Sequence, residues 1–307
     1  MSANVETMFY VREVPWHGLG TKVQEAPTSK DALELAGLNW TVDGLPVFDA
    51  RGNEIKGYKA NTRSSDGSVL GIVSGKYTII QNAEAFDFTD SLIGGEVRYE
   101  TAGSLRGGRQ VWLLAQMPKR TVAGDAVDPF LCFTNTFDGS GAVRVCMTPV
   151  RVVCNNTLNL ALRQAKRAWS ARHMGNIQAK LDEARMTLEL ADEYMTALDD
   201  EAAILAGEKM SEAQTMEAIK KLFPVDEKAS DRIQNTAKEQ QKQLISCVFA
   251  PDLEKFLWTK WGFLNAVADY AGHAEPHRHT KTFEERRWAD IMGGASVLDK
   301  ALALVRG

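Results

Sequence analysis

The sequence is short of the features that announce most function classes. It has 4 cysteines, at positions 132, 146, 154 and 247, with no C-x-x-C pair among them. That excludes a disulfide framework and a zinc ribbon, and the thiols read as reduced, mostly buried groups of a cytosolic protein. No apolar run approaches the ~18 residues that a membrane span needs. Residues 1–10 lack a charged stretch followed by an apolar one, so no secretory signal is expected. Collagen, mucin and low-complexity patterns are absent.

Nucleotide chemistry has equally little support. Gly71 to Lys76 is one residue short of phosphate-loop spacing, and Tyr77 stands where a Ser or Thr would ligate magnesium. Gly103 to Gly108 does not match the dinucleotide fingerprint and sits in a hairpin. Ser140, between Gly139 and Gly141, lacks the G-x-S-x-G elbow. No cofactor and no catalytic residue is therefore expected.

What is present is an ordinary globular balance, with 44% hydrophobic and 25% charged residues in 307. The net charge of −4 is unevenly spread: Arg98–Arg172 holds 11 basic and 4 acidic residues, Asp182–Asp231 holds 14 acidic and 5 basic. A basic block in an acidic chain is a polyanion footprint, or else the two blocks neutralise each other.

The pattern predicts an α+β fold. Thr28 opens a short helix with Asp31 in its first turn and Gly37 at its end. Residues 40–58 read as a meander, and 63–68 as a turn. Strands are expected at 69–73 and 77–80, then a helix with Asn82 as N-cap. Residues 96–105 and 110–117 flank the turn Arg106-Gly107-Gly108, where paired glycines allow positive φ. After a loop at 118–129, strands 130–136 and 142–147 flank the turn 138–141. A basic helix is expected to start near Asn155 or Asn156. The second half is helical. Ile177, Leu181, Ala184, Leu188, Ala191, Met195, Leu198, Ala202 and Leu205 alternate steps of four and three, predicting one helix over 176–206. Its seam would be covered by a later helix around Ile233, Ala237 and Leu244, or by a second copy. The change of character near 172–176 divides the chain into an α+β core, 1–172, as candidate nucleic-acid-binding domain, and a helical region, 173–307.

Two constellations could carry chemistry. His273, His277 and His279 could bind zinc with Glu284, Glu285 or Asp290, although Pro276 and Arg278 interrupt them; a surface loop with scattered histidines explains them as well. The basic set Arg63, Lys76, Arg98, Arg106, Arg109, Arg144, Arg151, Arg163, Lys166, Arg167 and Arg172 offers cations for phosphates, as single-stranded nucleic acid requires. Strand alternation puts Arg109 and Trp112 on opposite faces, so Trp112 reads as core.

Pro15 to Gly20, Thr101 to Gly108, Arg151 to Leu158, and Asn265 to Tyr270 with His273 resemble the phage/plasmid-like protein family, a domain of unknown function. More remotely, Gly75 to Ile80 followed by Asn82 to Phe86 resembles the eukaryotic Rad-type single-strand annealing proteins and their phage relatives. That resemblance implies a homo-oligomeric ring holding single-stranded DNA in a basic groove, with Arg63 as a groove arginine and Arg163, Lys166 and Arg167 on the basic helix. It implies ATP-independent annealing in phage or plasmid recombination, in the cytoplasm of a bacterial host. A phage exonuclease or a host single-strand-binding protein would be the protein partners, and no membrane would be involved. Two other classes stay open: a DNA-mimicking or protein-binding module built on the acidic half, and a metal-dependent nucleic-acid enzyme using the histidines.

Overall fold

The computed structural model describes residues 5–11, 20–93, 97–151, 156–157, 168–189, 191–274 and 296–306. The chain is α+β, with strands concentrated in its first half and helices in its second. The strands are β1 (Val5–Tyr10), β2 (Thr21–Lys22), β3 (Val42–Phe48), β4 (Glu54–Arg63), β5 (Val69–Ser74), β6 (Arg98–Leu105), β7 (Gln110–Gln116), β8 (Arg120–Val122), β9 (Asp125–Thr136), β10 (Val143–Arg151), β11 (Asn156–Thr157) and β12 (Ala168–Ala171). The helices are α1 (Ser29–Leu35), α2 (Asn82–Ile93), α3 (Ile177–Glu189), α4 (Ala191–Gly207), α5 (Glu212–Leu222), α6 (Asp231–Val248), α7 (Lys260–His273) and α8 (Ser296–Arg306), with a 3₁₀ turn at Pro251–Phe256. Among the described residues no helix is long and apolar enough to cross a membrane.

Two compact units share the chain. Unit 1 is Met1–Met117, Phe130–Met147 and Lys166–Ala191; unit 2 is Pro118–Pro129, Thr148–Ala165 and Asp192–Gly307.

Unit 1 is built on antiparallel strands in the order β9, β7, β6, β1, with β2 parallel to β1 and β12 paired to β10. Alternation sorts β7 into two faces. Val111, Leu113 and Ala115 lie opposite Asn135, Phe133 and Leu131 in the core, whereas Trp112 lies opposite Thr134 on the other face and is also buried. Helix α2 lays Ala85 and Phe86 on this core, where the Phe86 and Tyr99 rings meet at 4.9 Å. A separate antiparallel sheet, β3–β4–β5, reaches the core through Val42, Leu70 and Val73. Gly71 allows its close approach, because a Cβ there would sit 2.5 Å from the Cα of Asp138.

Unit 2 pairs β8 with the first residues of β9, and β11 with the last of β10. Helix α5 begins with a reciprocal capping box between Ser211 and Gln214, and α7 with Thr259 accepting from the Gly262 amide. Helix α7 packs on α6, α8 and β11 and is apolar on several sides, burying Trp261, Leu264 and Val267. Arg306 on α8 pairs with Glu201 on α4 at 2.8 Å, and Lys255 pairs with Asp125.

Several expectations need correction. Residues 77–80 are not a strand. Tyr77 makes a single bridge to Met174, and the Thr78 amide donates to the His173 carbonyl, so the segment is a pinned loop. The hairpin partner of β5 is β4, across the turn at 63–68. Asn82 is inside α2, not its cap. Its amide donates to the carbonyls of Leu38 and Trp40, while Glu84 accepts from the Gln81 amide. Within the loop expected at 118–129, β8 and β9 form a hairpin around Ala123 and Gly124, both at positive φ. Asn156 and Thr157 form strand β11 rather than opening a helix, because they pair with Arg151 and Val150; Ala168–Ala171 is likewise a strand. The seam predicted for 176–206 serves two cores. Leu181 and Ala184 on α3 join the core of unit 1, whereas Met195, Leu198, Ala202 and Leu205 on α4 are buried in unit 2. Helix α6 packs chiefly on α7, and Ile233 is exposed.

A close backbone approach in unit 1 tests this packing. A Cβ at Gly103 would lie 2.3 Å from the Thr7 carbonyl oxygen and 2.6 Å from both Met8 Cβ and the Trp112 ring. Since backbone cannot yield as a flexible side chain does, Gly103→Ala is expected to destabilise the protein by about 1–3 kcal/mol. Urea unfolding followed by far-UV circular dichroism checks this; an unchanged midpoint would contradict the β1–β6–β7 packing.

Candidate nucleic-acid interface

Three turns of unit 1 gather predicted cations at one end. The Arg63 guanidinium lies beside Gly108, 2.9 Å from where a Cβ would stand, in the turn between Arg106 and Arg109. The Arg109 carbonyl accepts from the Phe137 amide, which brings in the turn that follows β9. Arg106 and Arg109 are exposed, and Arg106 adopts φ +55° in the tight hairpin.

Arg63 itself is a structural anchor. It is paired at 2.8 Å to Glu6 and 2.6 Å to Asp66, and its guanidinium lies 5.5 Å from the Trp40 ring centre. The hydrogen bond to Asp66 raises the guanidinium's pKa above its ordinary range, and the same bond holds the Asp66 carboxyl well below the usual carboxylate range. With only 12% of its side chain exposed and two carboxylates bound, Arg63 is committed to the fold, in contrast to the groove role that the resemblance implies.

The other predicted cations do not converge there. Arg98 stands at the opposite end of β6 from Arg106, roughly 26 Å away at strand rise, with a long contact to the Ala26 carbonyl. Lys76 is exposed in the turn after β5, and Arg172 is exposed between β12 and α3. Arg144 is half-buried on β10, and Arg151 ends that strand. Arg163, Lys166 and Arg167 lie outside the described residues. Unit 1 holds 17 basic and 18 acidic residues in sequence, so the excess of the basic stretch is balanced within the unit. Any attraction for a polyanion is local to the turns.

Sequence reasoning missed one surface. The outer face of β3–β4–β5 leaves Leu45, Tyr58, Val69 and Ile72 exposed. Glycines and the break at 49–53 obscure its alternation, and only the register shows that these residues share a face.

Other chemistry finds no geometry among the described residues. No group of three His, Cys, Asp or Glu there could hold a metal; His273 ends α7, and His277 and His279 lie outside the described residues. The Cys132 thiol is raised by its contact with the Cys146 thiol and by burial, and burial pushes Cys247 up to about 12. Neither is an activated nucleophile at neutral pH.

The pinned loop carries a titratable joint. The Tyr77 and His173 rings stack at 4.5 Å and 11°, the Tyr77 hydroxyl donates to the Thr136 carbonyl, and His173 Nδ1 lies 3.1 Å from the Thr78 carbonyl. His173 Nε2 is buried with no partner among the described residues, and burial lowers the imidazole's pKa. Folding therefore favours the neutral ring. The unfolded chain takes up the proton first, near the ordinary pKa of about 6.5, so this site loses stability as pH falls below that value. Between pH 7.5 and 5.5 the melting temperature of the wild type should fall more than that of His173→Phe, which keeps the stack and cannot titrate. Parallel profiles from calorimetry would show that His173 does not set this dependence.

A family model described as "Domain of unknown function (DUF932)" matches residues 69–292, more than two-thirds of the chain. No curated protein and no solved structure matches the chain. The matched span runs from β5 to beyond α7 and takes in α2, the β6–β7 hairpin with its arginines, and the Tyr77–His173 joint. The chain belongs to the DUF932 family, a family of unknown function.

Proposed function

We propose that the chain binds single-stranded DNA and anneals complementary strands without nucleotide hydrolysis. The observation that carries this reading is the exposed pair Arg106 and Arg109 beside the anchored Arg63. Fixed guanidinium groups at a turn can hold phosphates and leave base edges free to sample a second strand. The element order lends partial support: β5 precedes helix α2 and the antiparallel strands β6, β7, β9 and β10 follow, although residues 77–80, read as the second strand of the resembled signature, form a loop. On this reading the chain acts as a homo-oligomer in phage or plasmid recombination in a bacterial cytoplasm, beside an exonuclease or a single-strand-binding protein. The resemblance also assigns phosphate contacts to Arg163, Lys166 and Arg167.

The test is annealing of two complementary fluorescent oligonucleotides in EDTA and without nucleotide. Acceleration above the spontaneous rate is expected, and none would overturn the reading. Arg106→Ala with Arg109→Ala should reduce the salt dependence of binding, by about 0.7 in the log–log slope for each lost phosphate contact. An unchanged slope would move the phosphate track away from the hairpin.

A further inference from the structure

The β3–β4–β5 sheet has one face that its own unit does not cover. Register places its residues in rows. Thr62 lies opposite Asp43 and Val69, Ala60 opposite Leu45 and Ile72, and Tyr58 opposite Ser74. Paired residues of antiparallel strands point to the same side, so Leu45, Tyr58, Val69 and Ile72 share one face. They are 48%, 56%, 53% and 60% exposed. Four large apolar side chains in contiguous rows differ from the single exposed hydrophobics of an ordinary surface, and such a patch marks a binding surface.

The charges beside it select the partner. At the Tyr58 end the chain bulges at Gly57, φ +85°, whose carbonyl accepts from the Gly75 amide at 2.8 Å. That bond sets Lys56 and Lys76 next to Tyr58, and both are exposed. At the Val69 end the turn at 63–68 carries Asp66, whose carboxylate is bound by Arg63. Asp43, in the first row, is also acidic. An apolar floor with two exposed lysines at its Tyr58 end complements a polyanion that also carries flat apolar faces. We infer that this face is a base-contacting platform for single-stranded nucleic acid, with Tyr58 and Ile72 under the bases and Lys56 and Lys76 on the phosphates. The inference deepens the proposed function and rests on it.

The test measures fluorescence anisotropy of labelled oligo(dT) and of an abasic oligomer of equal length with the full chain. Wild type should bind oligo(dT) more tightly than the abasic strand. Tyr58→Ala with Ile72→Ala should weaken oligo(dT) binding roughly tenfold or more and erase that preference, since stacking on a side chain is lost. Arg106→Ala with Arg109→Ala should weaken both strands alike. All four positions are exposed, or half in solvent, and unchanged thermal melting verifies that the variants fold. If wild type binds oligo(dT) and the Tyr58/Ile72 variant binds equally well, the platform is wrong while the DNA reading stands. Binding of neither oligomer would overturn both. Loss of self-association in the Tyr58/Ile72 variant, with DNA binding intact, would assign the face to a second copy instead.

Discussion

Unit 1 depends on what happens at residues 135–137, where β9 ends. Asn61, from β4, donates its amide to the Phe137 carbonyl at 2.7 Å. The Tyr77 hydroxyl donates to the Thr136 carbonyl, and Asn135 donates to the Ile80 carbonyl at 3.0 Å. The Phe137 amide donates to the Arg109 carbonyl. All of these groups are buried or at the edge of the core, where a missing hydrogen bond costs about 1–3 kcal/mol. One short piece of backbone thus fixes the small sheet, the pinned loop, helix α2 and the arginine hairpin in a common frame. The carboxamide oxygens of Asn61, Asn82 and Asn135 are buried without partners among the described residues. These side chains are kept for what they donate, at some cost in what they cannot accept.

That frame sorts the basic residues into roles that charge counting cannot separate. Arg63 has its donors taken up by Glu6 and Asp66 and holds a turn closed. Arg106 and Arg109 extend from the hairpin that this turn supports. The same residue type therefore appears as a largely buried strut and as an exposed side chain on the neighbouring turn. The nearly balanced charge of unit 1 makes position, not net charge, the source of any affinity for a polyanion.

Much of the fold was legible where local chemistry is unambiguous. The glycine-rich hairpin at 106–108 and the 63–68 turn with Asp66 accepting from Ser68 follow from turn preferences, and α1 starts after Thr28 as expected, although the Thr28 hydroxyl donates to Asp31 instead of capping the helix. The illegible parts are those decided at a distance. Tyr77 to Ile80 has strand composition, yet its hydrogen bonds go to His173 and Thr136. Asn156 and Thr157 look like a helix start until Val150 and Arg151 claim their backbone. The seam of α3 and α4 is regular in sequence, but nothing local tells that its first half enters one core and its second half another. In the candidate site, the cation types were legible, while the commitment of Arg63 and the shared face of Leu45, Tyr58 and Ile72 needed the register.

The interleaving of the two units has a consequence for synthesis. Strand β1 leaves the ribosome far ahead of its partner β6, and Phe9 meets Ala102 only after the intervening chain has emerged. Unit 1 then stays open through two excursions into unit 2, until β12 and α3 supply Trp169, His173 and Leu181. A nascent chain stopped before Ala184 therefore exposes an unfinished core. Pairings this remote in sequence form slowly, which leaves apolar surface open to aggregation while the chain is incomplete.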